Sequence, residues 1–235
     1  MKGVILAGGL GTRLRPFTFF APKVMLPVGD RTIIERVIEW MVNNGIREII
    51  IATGYLHHVI ESYLGDGNRL DLDIRLEYVR SKRPMSTGGQ LKTVEDKIDG
   101  TFLLSYGDVL TNMSLEPVVS LHKKKKATAT IVTKKHRFSL RFGVIDIDDE
   151  GRVLKWSEKP VIERNVNTGI YLMEPKVFDY IDKGEVISMD VVFRRMLEAG
   201  EKIYAYRSKA DFIDIGDMES YMEAVEEYTR MLRGI

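Results

Sequence analysis

The first 110 residues alternate between short apolar runs and longer stretches with helical spacing of apolar positions. Lys2–Leu6 and Glu48–Thr53 are rich in aliphatic residues, which is typical of buried strands. Between them an amphipathic helix that ends at Gly45 is predicted from apolar residues at positions 33, 34, 37, 38, 41 and 42. The alternation continues with a predicted helix over 55–64, a strand over 73–79, a helix over 90–98 and a strand over 101–105. Strands separated by helices predict a parallel sheet with helices on both faces.

After residue 126 the pattern changes to short strands that lie close together in the sequence. Strands are predicted over 127–133, 142–148, 152–157, 167–173 and 202–206, and helices over 188–199 and 217–232. Asp149-Glu150-Gly151 has the composition of a hairpin turn. We therefore expect one α/β domain over residues 1–235, with a first half (1–126) and a second half (127–235) that adds a small antiparallel part.

Composition narrows the classes of protein that remain. The hydrophobic fraction of 44% is ample for a core, and the net charge of +1 provides no field that would attract nucleic acid or an anionic membrane. The chain has no cysteine, which excludes disulfides, thiolate metal sites and a cysteine nucleophile. No apolar run has membrane-spanning length and no signal peptide is recognisable, so we expect a cytoplasmic protein without nucleic-acid or membrane partners.

Two groups of basic residues receive no chemical role. The run Lys123–Lys126 is expected at the end of a helix, where cations suit the helix dipole. The histidines have polar neighbours and no motif partner, so we expect them to be exposed; they are His57, His58, His122 and His136.

The first predicted strand leads directly into a loop that contains Gly8, Gly9 and Gly11. Glycine lets the backbone turn several N–H groups toward one point, and such a concavity binds phosphate. Arg13 and Lys23 add two positive charges nearby. This combination predicts a binding site for a nucleoside triphosphate.

Other glycine motifs fit this loop less well. A Walker loop needs a lysine directly after its last glycine, and none follows Gly11. A dinucleotide fingerprint begins correctly at Gly9, and Asp30 lies near the position of a ribose-binding carboxylate, but Leu14 replaces the third glycine. A simple tight turn would explain the glycines but not the arginine and the lysine.

Two aspartates follow apolar runs at predicted strand ends. Asp108 comes shortly after the predicted strand over 101–105, and Asp214 lies between two isoleucines just before Gly216. Carboxylates from separate strand ends near a triphosphate would suit Mg²⁺, which takes few protein ligands alongside phosphates and waters. The alternative is that each aspartate caps a helix, although Asp217 is the better cap for the last helix.

Residues 6–16 and 22–28 resemble the signature of the sugar-1-phosphate nucleotidyltransferases, and weaker similarity extends over nearly the whole chain. The resemblance implies a Rossmann-like fold of the nucleotide-diphospho-sugar transferase type, with a mixed, mostly parallel sheet flanked by helices. It implies a Mg²⁺-dependent reaction in which a nucleoside triphosphate and a sugar 1-phosphate give an NDP-sugar and pyrophosphate. The chain would then be a catalytic domain without the β-helical tail of some relatives, and a homo-oligomer is possible because relatives often pair their subunits.

The same resemblance makes residues 1–126 the nucleotide-binding half and residues 127–235 the sugar-binding half, and it implies roles for individual residues. Catalytic roles fall to Arg13, Lys23 and Asp108, and metal binding falls to Asp108 and Asp214. Nucleotide binding is implied for Leu6, Ala7, Gly8, Gly9, Gly11, Thr12, Arg13, Gly88 and Gln90. Gln90 could equally form a helix-capping box with Thr87. Sugar-phosphate binding is implied for Gly143, Glu158, Lys159, Asn167 and Gly169, although Glu158 and Lys159 could equally form an exposed charged turn.

The identity of the substrates stays open at this point. Tyr106-Gly107-Asp108 and Thr87-Gly88-Gly89 favour the glucose-1-phosphate cytidylyltransferase branch, whereas the general layout equally resembles mannose-1-phosphate guanylyltransferases. A hexose 1-phosphate is the expected acceptor. The alternatives are nucleotidyl transfer to a polyol or amino-alcohol phosphate, and a nucleotide-sugar sensor without turnover.

Overall fold

The structure is a computed structural model that describes the backbone of residues 1–233 and the side chains of residues 1–230. The strands are β1 (Lys2–Ala7), β2 (Pro27–Val28), β3 (Arg31–Thr32), β4 (Glu48–Thr53), β5 (Arg75–Arg80), β6 (Phe102–Tyr106), β7 (Val109–Thr111), β8 (Ala129–Ser139), β9 (Val144–Ile147), β10 (Val153–Ser157), β11 (Val161–Met173), β12 (Ile203–Arg207) and β13 (Phe212–Asp214). The helices are α1 (Ile33–Asn43), α2 (His57–Leu64), α3 (Ser86–Lys92), α4 (Glu116–Lys125), α5 (Met189–Glu198) and α6 (Met218–Arg233). Short 3₁₀ turns cover Thr12–Leu14, Phe17–Phe19, Lys23–Met25, Asn68–Leu70, Glu95–Lys97 and Pro175–Tyr180.

A seven-stranded mixed sheet forms the centre of the molecule, in the order β12-β8-β11-β6-β1-β4-β5. Neighbours among β6, β1, β4 and β5 run parallel, β12 runs parallel to β8, and β11 is antiparallel to both of its neighbours. The expected α/β fold with a mostly parallel sheet is confirmed.

The two faces of this sheet carry two separate apolar cores. Side chains alternate across β1, so that Ile5 packs into one core while Val4 and Leu6 pack into the other. The amphipathic helix α1 covers the Ile5 face, and Thr32 and Glu35 form a capping box at its start. Helix α5 covers the opposite face. Helices on both faces leave the carboxyl ends of the parallel strands as an open edge.

A separate ribbon of two short strands brings distant parts of the sequence to this edge. Strand β13 pairs with β7 in antiparallel register, with Asp214 opposite Val109. The amide of Ile215 donates to the carbonyl of Asp108 at 3.0 Å. The two aspartates expected to bind metal are therefore brought together, with Asp214 at the end of β13 and Asp108 in the turn just before β7.

Strands β8 and β11 are longer than predicted. We expected them over 127–133 and 167–173, but they continue as a paired extension in which Ser139 faces Val161. The extension is rich in charged residues and lacks strict alternation, so its strand state comes from pairing rather than from a buried face. Beyond it, β9 and β10 form a two-stranded hairpin whose turn at Gly151 (φ +85°) is where we predicted it. We call residues 134–167 the arm.

Helix α3 begins earlier than predicted and ends earlier. We expected a loop over 84–89 and a helix over 90–98, whereas α3 runs from Ser86 to Lys92. Two glycines would normally weaken a helix here, but tertiary packing outweighs that preference. Because Thr87 and Gln90 both lie inside α3, the alternative of a capping box between them is wrong, and the Thr87 hydroxyl instead accepts from the amide of Met189 at 2.9 Å.

His122 corrects the expectation that the histidines are exposed. Its side chain is buried, its Nδ1 lies 2.8 Å from the Thr130 hydroxyl, and its Nε2 lies 3.0 Å from a Glu174 carboxylate oxygen. The neighbouring lysine run falls in the last turn of α4, as predicted. Within residues 1–233, no helix combines the length and the apolar content that a bilayer crossing requires.

Candidate active site

The glycine loop after β1 has no room for a side chain at Gly8 or at Gly11. A Cβ at Gly8 would lie 2.0 Å from Nε2 of Gln90, whose amide nitrogen donates to the carbonyl of Ala52 at 2.9 Å. Gly11 has φ +61°, and its carbonyl accepts from the buried hydroxyl of Thr18 at 2.8 Å. Positions 8 and 11 therefore require glycine for different reasons, close approach in one case and a left-handed backbone in the other.

The two parts of the sequence signature touch each other in the fold. A Cβ at Gly11 would lie 3.2 Å from Cβ of Lys23, which begins its own 3₁₀ turn. The Lys23 ammonium pairs with the carboxylate of Asp108 directly after β6, and both side chains are largely buried. The side-chain stem of Lys23 therefore lies beside the glycine loop, and its ammonium group pairs with Asp108.

Arg13 completes a cluster of four charged residues at this edge. Its guanidinium lies 3.3 Å from the position that a Cβ would occupy at Gly216, two residues after Asp214. It is close enough to Asp214 to favour the ionised form of that carboxyl. Arg13, Lys23, Asp108 and Asp214 therefore converge, although they come from four separate segments of the chain.

The Asp214 carboxyl has a raised pKa despite its access to solvent. The main cause of this raised pKa is that the surrounding protein partly removes the hydration of the ionised carboxylate. The negative charge of Asp108 is the second cause, and the positive charges of Lys23 and Arg13 partly oppose the shift. The two carboxylates therefore repel each other in spite of the two cations beside them.

This arrangement fits a divalent cation held by few protein ligands. Among the described residues, no group of three or more histidine, aspartate or glutamate side chains is arranged as a metal cage. Two aspartates facing a phosphate loop would leave the remaining coordination positions to phosphate oxygens and water, which is the mode that Mg²⁺ prefers. The residues present therefore fit the expected metal.

A cleft of about 270 Å³ opens beside the glycine loop and carries residues that the sequence reasoning missed. Its lining includes Leu6, Gly8, Gly9, Gln90 and Asp108 as expected, and also Ser81, Arg83, Met85, Ser86, Thr87 and Tyr106. Arg83 is held in place by a 2.9 Å bond from its guanidinium to the carbonyl of Gly184. Residues 81–87 follow β5, so their location after a parallel strand is the signal that could have identified them.

Gly88 and Gly89 lie inside α3 and contact the segment before α5. The amides of both glycines donate to the carbonyl of Ile187, and a Cβ at Gly89 would lie 2.2 Å from the carbonyl oxygen of Glu185. These glycines are needed for close backbone packing. Base contact by Gly88 and by Gln90 stays a prediction.

The expected sugar-side residues form two groups. Asn167 and Gly169 lie at the inner end of the arm, where Gly169 (φ +80°) packs directly on the ring of Tyr106. Gly143, Glu158 and Lys159 lie at the outer end, where a Cβ at Gly143 would be 3.0 Å from Oε2 of Glu158. The backbone of Lys159 is left-handed (φ +44°), which is uncommon for a lysine.

A larger cleft of about 670 Å³ lies elsewhere, between the β12–β13 connection and α6. It is lined by residues such as Lys134, Arg207 and Glu227, and the glycine loop takes no part in it. The smaller cleft is lined by the glycine loop and by Asp108, whose carboxylate pairs with Lys23, so we assign the candidate active site there.

Comparison with known proteins agrees with this geometry. Residues 2–231 match the family model described as Nucleotidyl transferase. The chain belongs to the nucleotidyl transferase family. The resemblance to sugar-1-phosphate nucleotidyltransferases is thereby confirmed.

Curated relatives of this chain come from bacteria and from eukaryotes. The chain is 34% identical over 96% of its length to a UTP–glucose-1-phosphate uridylyltransferase of Synechocystis, and 34% identical over 98% to a mannose-1-phosphate guanylyltransferase of Mycobacterium tuberculosis. It spans only 62% and 65% of those two proteins. It is 31% identical to a D-glycero-alpha-D-manno-heptose 1-phosphate guanylyltransferase of Aneurinibacillus thermoaerophilus, with 97% of this chain and 98% of the relative covered.

Solved structures of the nucleotidyl transferase family have the same fold. A putative glucose-1-phosphate thymidylyltransferase from Bacillus anthracis superposes with a TM-score of 0.78 at 26% identity, covering 97% of this chain and 95% of that one. HddC from Yersinia pseudotuberculosis complexed with GMP-PN superposes with a TM-score of 0.75 at 25% identity, covering 97% and 99%.

Proposed function

We propose that this nucleotidyl transferase family member joins a nucleoside triphosphate to a sugar 1-phosphate and releases pyrophosphate, with a hexose 1-phosphate as the expected acceptor. The observation that carries the proposal is the convergence of Arg13, Lys23, Asp108 and Asp214 beside the glycine loop. Binding a nucleotide without turnover would not require this full charged set, which argues against a sensor.

The reaction is an in-line displacement at the α-phosphorus. An oxygen of the sugar phosphate forms the new bond to phosphorus, and the bond from the α-phosphorus to the bridging oxygen breaks, so that pyrophosphate leaves with that electron pair. No enzyme nucleophile is needed, because alignment and charge neutralisation lower the barrier. Two anions held together at low effective dielectric would otherwise repel by several kcal/mol.

The nucleotide side of the reaction falls to residues of the cleft. The backbone around Leu6, Ala7, Gly8, Gly9, Gly11 and Thr12 would hold the phosphates and the nucleoside, with Gly88 and Gln90 near the base. Arg13 would stabilise charge on the triphosphate and the departing pyrophosphate. Lys23 would offset the charge that builds up as the α-phosphorus becomes five-coordinate.

Asp108 and Asp214 would hold Mg²⁺, which supplies charge neutralisation of the phosphate oxygens when bound. On the acceptor side, Lys159 would attract the phosphate of the sugar 1-phosphate, and Glu158, Gly143, Asn167 and Gly169 would contact the sugar. We further propose a cytoplasmic location, and self-association stays a prediction.

The test is an acceptor panel read by pyrophosphate release. Each of the five common triphosphates is combined with hexose and heptose 1-phosphates, and with polyol and amino-alcohol phosphates, at fixed Mg²⁺. We expect turnover with at least one sugar 1-phosphate. Turnover confined to non-sugar phosphates would overturn the acceptor class, and nucleotide binding without turnover on any acceptor would favour the sensor.

A further inference from the structure

Two tyrosines meet where β6 and β11 pair, between the two substrate sides of the cleft. Tyr171 is fully buried, and its hydroxyl donates to the hydroxyl of Tyr106 at 3.1 Å. The ring centroids lie 5.7 Å apart. Tyr106 also lines the cleft beside the glycine loop.

These hydroxyls belong to a directed hydrogen-bond chain. The side-chain oxygen of Asn167 accepts from the amide of Gly169 at 3.1 Å, so its nitrogen is the atom that donates to the Tyr171 hydroxyl at 2.5 Å. Tyr171 then donates to Tyr106, which leaves the Tyr106 proton free for a further acceptor.

Tyr106 borders the loop expected to receive the base, because Tyr106 and Thr87 line the same cleft. Thr87 is fixed in turn, since its hydroxyl accepts from the amide of Met189 at 2.9 Å. Asn167, which is expected to contact the sugar, is thereby connected through Tyr171 and Tyr106 to the cleft that Thr87 lines on the nucleotide side.

The packing keeps this chain in one arrangement. A Cβ at Gly169 would lie 2.8 Å from Cδ2 of Tyr106, so the ring has no space to turn toward the arm. Tyr171 packs against Phe193 of α5 with ring centroids 5.3 Å apart. Burial also raises the pKa of Tyr171 strongly, so that both hydroxyls stay protonated at physiological pH.

A phenylalanine at position 171 would fill the same space without a polar group to satisfy. The buried hydroxyl is partnered only through Asn167 and Tyr106, and a buried polar group is costly unless it is hydrogen-bonded. Hydrogen bonds between buried side chains favour one geometry for the groups that make them.

We propose that Tyr106 and Tyr171 are positioning residues that couple the two substrate sides, so that a sugar phosphate at Asn167 strengthens nucleotide binding at Thr87 and the reverse. The inference rests on the proposed function, since it assumes that both substrates bind this cleft. Coupling of this kind is reciprocal and spans about 5-fold to 150-fold in affinity.

The experiment measures coupling directly and uses the full chain. The dissociation constant of a non-hydrolysable α,β-methylene triphosphate is measured by calorimetry with Mg²⁺, with and without the saturating sugar 1-phosphate that the acceptor panel identifies. In the wild type we expect the sugar phosphate to tighten nucleotide binding at least about 5-fold. In Tyr171→Phe and in Tyr106→Phe we expect that ratio to fall close to one. In Tyr171→Phe, whose changed residue does not line the cleft, nucleotide affinity in the absence of sugar should change less than about 3-fold.

Tyr221→Phe is the matched control. It removes a tyrosine hydroxyl that donates to the carbonyl of Pro27 at 2.9 Å, outside the chain, and should keep the wild-type ratio. A ratio near one in the wild type, or an unchanged ratio in folded Tyr171→Phe and Tyr106→Phe, overturns the coupling while turnover in the panel still upholds the reaction. No turnover with any sugar 1-phosphate removes the proposed function, and the coupling with it.

Discussion

The cleft around β1 and the arm contrast sharply, although both are expected to contact substrate. Strand β1 is paired on both sides and its central side chains are inaccessible to solvent. In the arm, β9 and β10 pair only with each other, and Phe142 and Trp156 are 79% and 63% exposed. An isolated two-stranded ribbon contributes little stability. The cleft therefore has a rigid, well-packed framework, whereas the expected binding groups of the outer arm lie on a hairpin with little packing of its own.

The charges of the two regions differ in the same way. Lys23 and Asp108 form a largely buried pair, while Glu163 of the arm pairs with exposed Arg137 and Lys135. Exposed pairs are screened by water and contribute little, whereas charges in a cleft act at a lower effective dielectric. Substitutions in the cleft should therefore change rates more than substitutions on the arm.

The largest effect is expected for Lys23→Ala. Loss of the cation beside the reacting phosphate should lower kcat by on the order of a hundredfold or more, as for other lost charge partners of a transition state. Single-turnover measurement with radiolabelled triphosphate isolates the chemical step.

Lys2→Ala is the control for Lys23→Ala, because Lys2 also pairs with an aspartate, Asp99 at 2.9 Å, but on the opposite edge of the sheet. It should leave the rate unchanged. Near-normal turnover by Lys23→Ala would show that this lysine has no part in the mechanism. It would also contradict the expectation that substitutions in the cleft change rates more than substitutions on the arm.

Asp214→Asn should separate activity from stability. We expect kcat to fall at least about tenfold, the lower range for lost partners of a metal. The folded protein disfavours the ionised form of Asp214, whose ordinary pKa is 3.8. The stability of the wild-type protein should therefore decline as the pH rises from 3.8 through the raised pKa of the folded state. The variant cannot ionise there, so its Tm at pH 8 should equal or exceed that of the wild type.

Rates at varied Mg²⁺ and melting curves at several pH values measure both effects of Asp214→Asn. Asp211→Asn, an exposed change on the same segment, serves as the control. A drop in Tm at pH 8 with an unchanged Mg²⁺ titration would contradict both the metal role and the crowding of this carboxyl.

Gly8→Ala should weaken the triphosphate site. The new methyl group would lie 2.0 Å from Nε2 of Gln90, so Gln90 must lose its bond to Ala52 or the loop must move. We expect the KM for triphosphate to rise about tenfold and stability to fall by about 1–3 kcal/mol, from steric displacement and a lost buried hydrogen bond.

Gly9→Ala sharpens this test, because no atom lies within 4 Å of a Cβ at that position. It should leave stability unchanged, so any loss of affinity there reports on the ligand alone. Equal Tm and KM for Gly8→Ala and the wild type would show that the close approach at Gly8 is unnecessary.

The smallest effect is expected on the arm. Lys159→Ala should raise the KM for sugar 1-phosphate about fivefold and leave the KM for triphosphate unchanged, since one exposed ion pair contributes about 1 kcal/mol. Lys159→Gly removes the same charge but suits the left-handed backbone (φ +44°), so it should match Lys159→Ala in KM and exceed it in Tm.

Lys155→Ala, an exposed change on the same hairpin, is the control for the charge of the arm. If Lys159→Ala, Lys159→Gly and Lys155→Ala all have the wild-type KM for the acceptor, the sugar phosphate does not bind at the outer end of the arm. The expected role of the outer arm in substrate binding would then be wrong.

The spacing of apolar residues was sufficient to predict those strands and helices in which burial is the dominant influence. Strand β4 and helix α1 were predicted closely because burial imposes a clear spacing of apolar residues on each. The start of α3 was missed because its glycines disfavour a helix locally, and only their packing against Glu185 and Ile187 makes the helix stable. His122 was missed for a similar reason, since polar neighbours in sequence do not reveal the partners that Thr130 and Glu174 provide.

The sequence alone determined the α/β class, the glycine loop and the residue types available for phosphate chemistry, because spacing and composition are local properties of the chain. Only the tertiary structure decided that β13 returns beside β7, which brings Asp214 next to Asp108. It also decided that Tyr171 lies beneath Tyr106. Such contacts join residues far apart along the chain, and they depend on how strands pair and helices cover them rather than on any local preference.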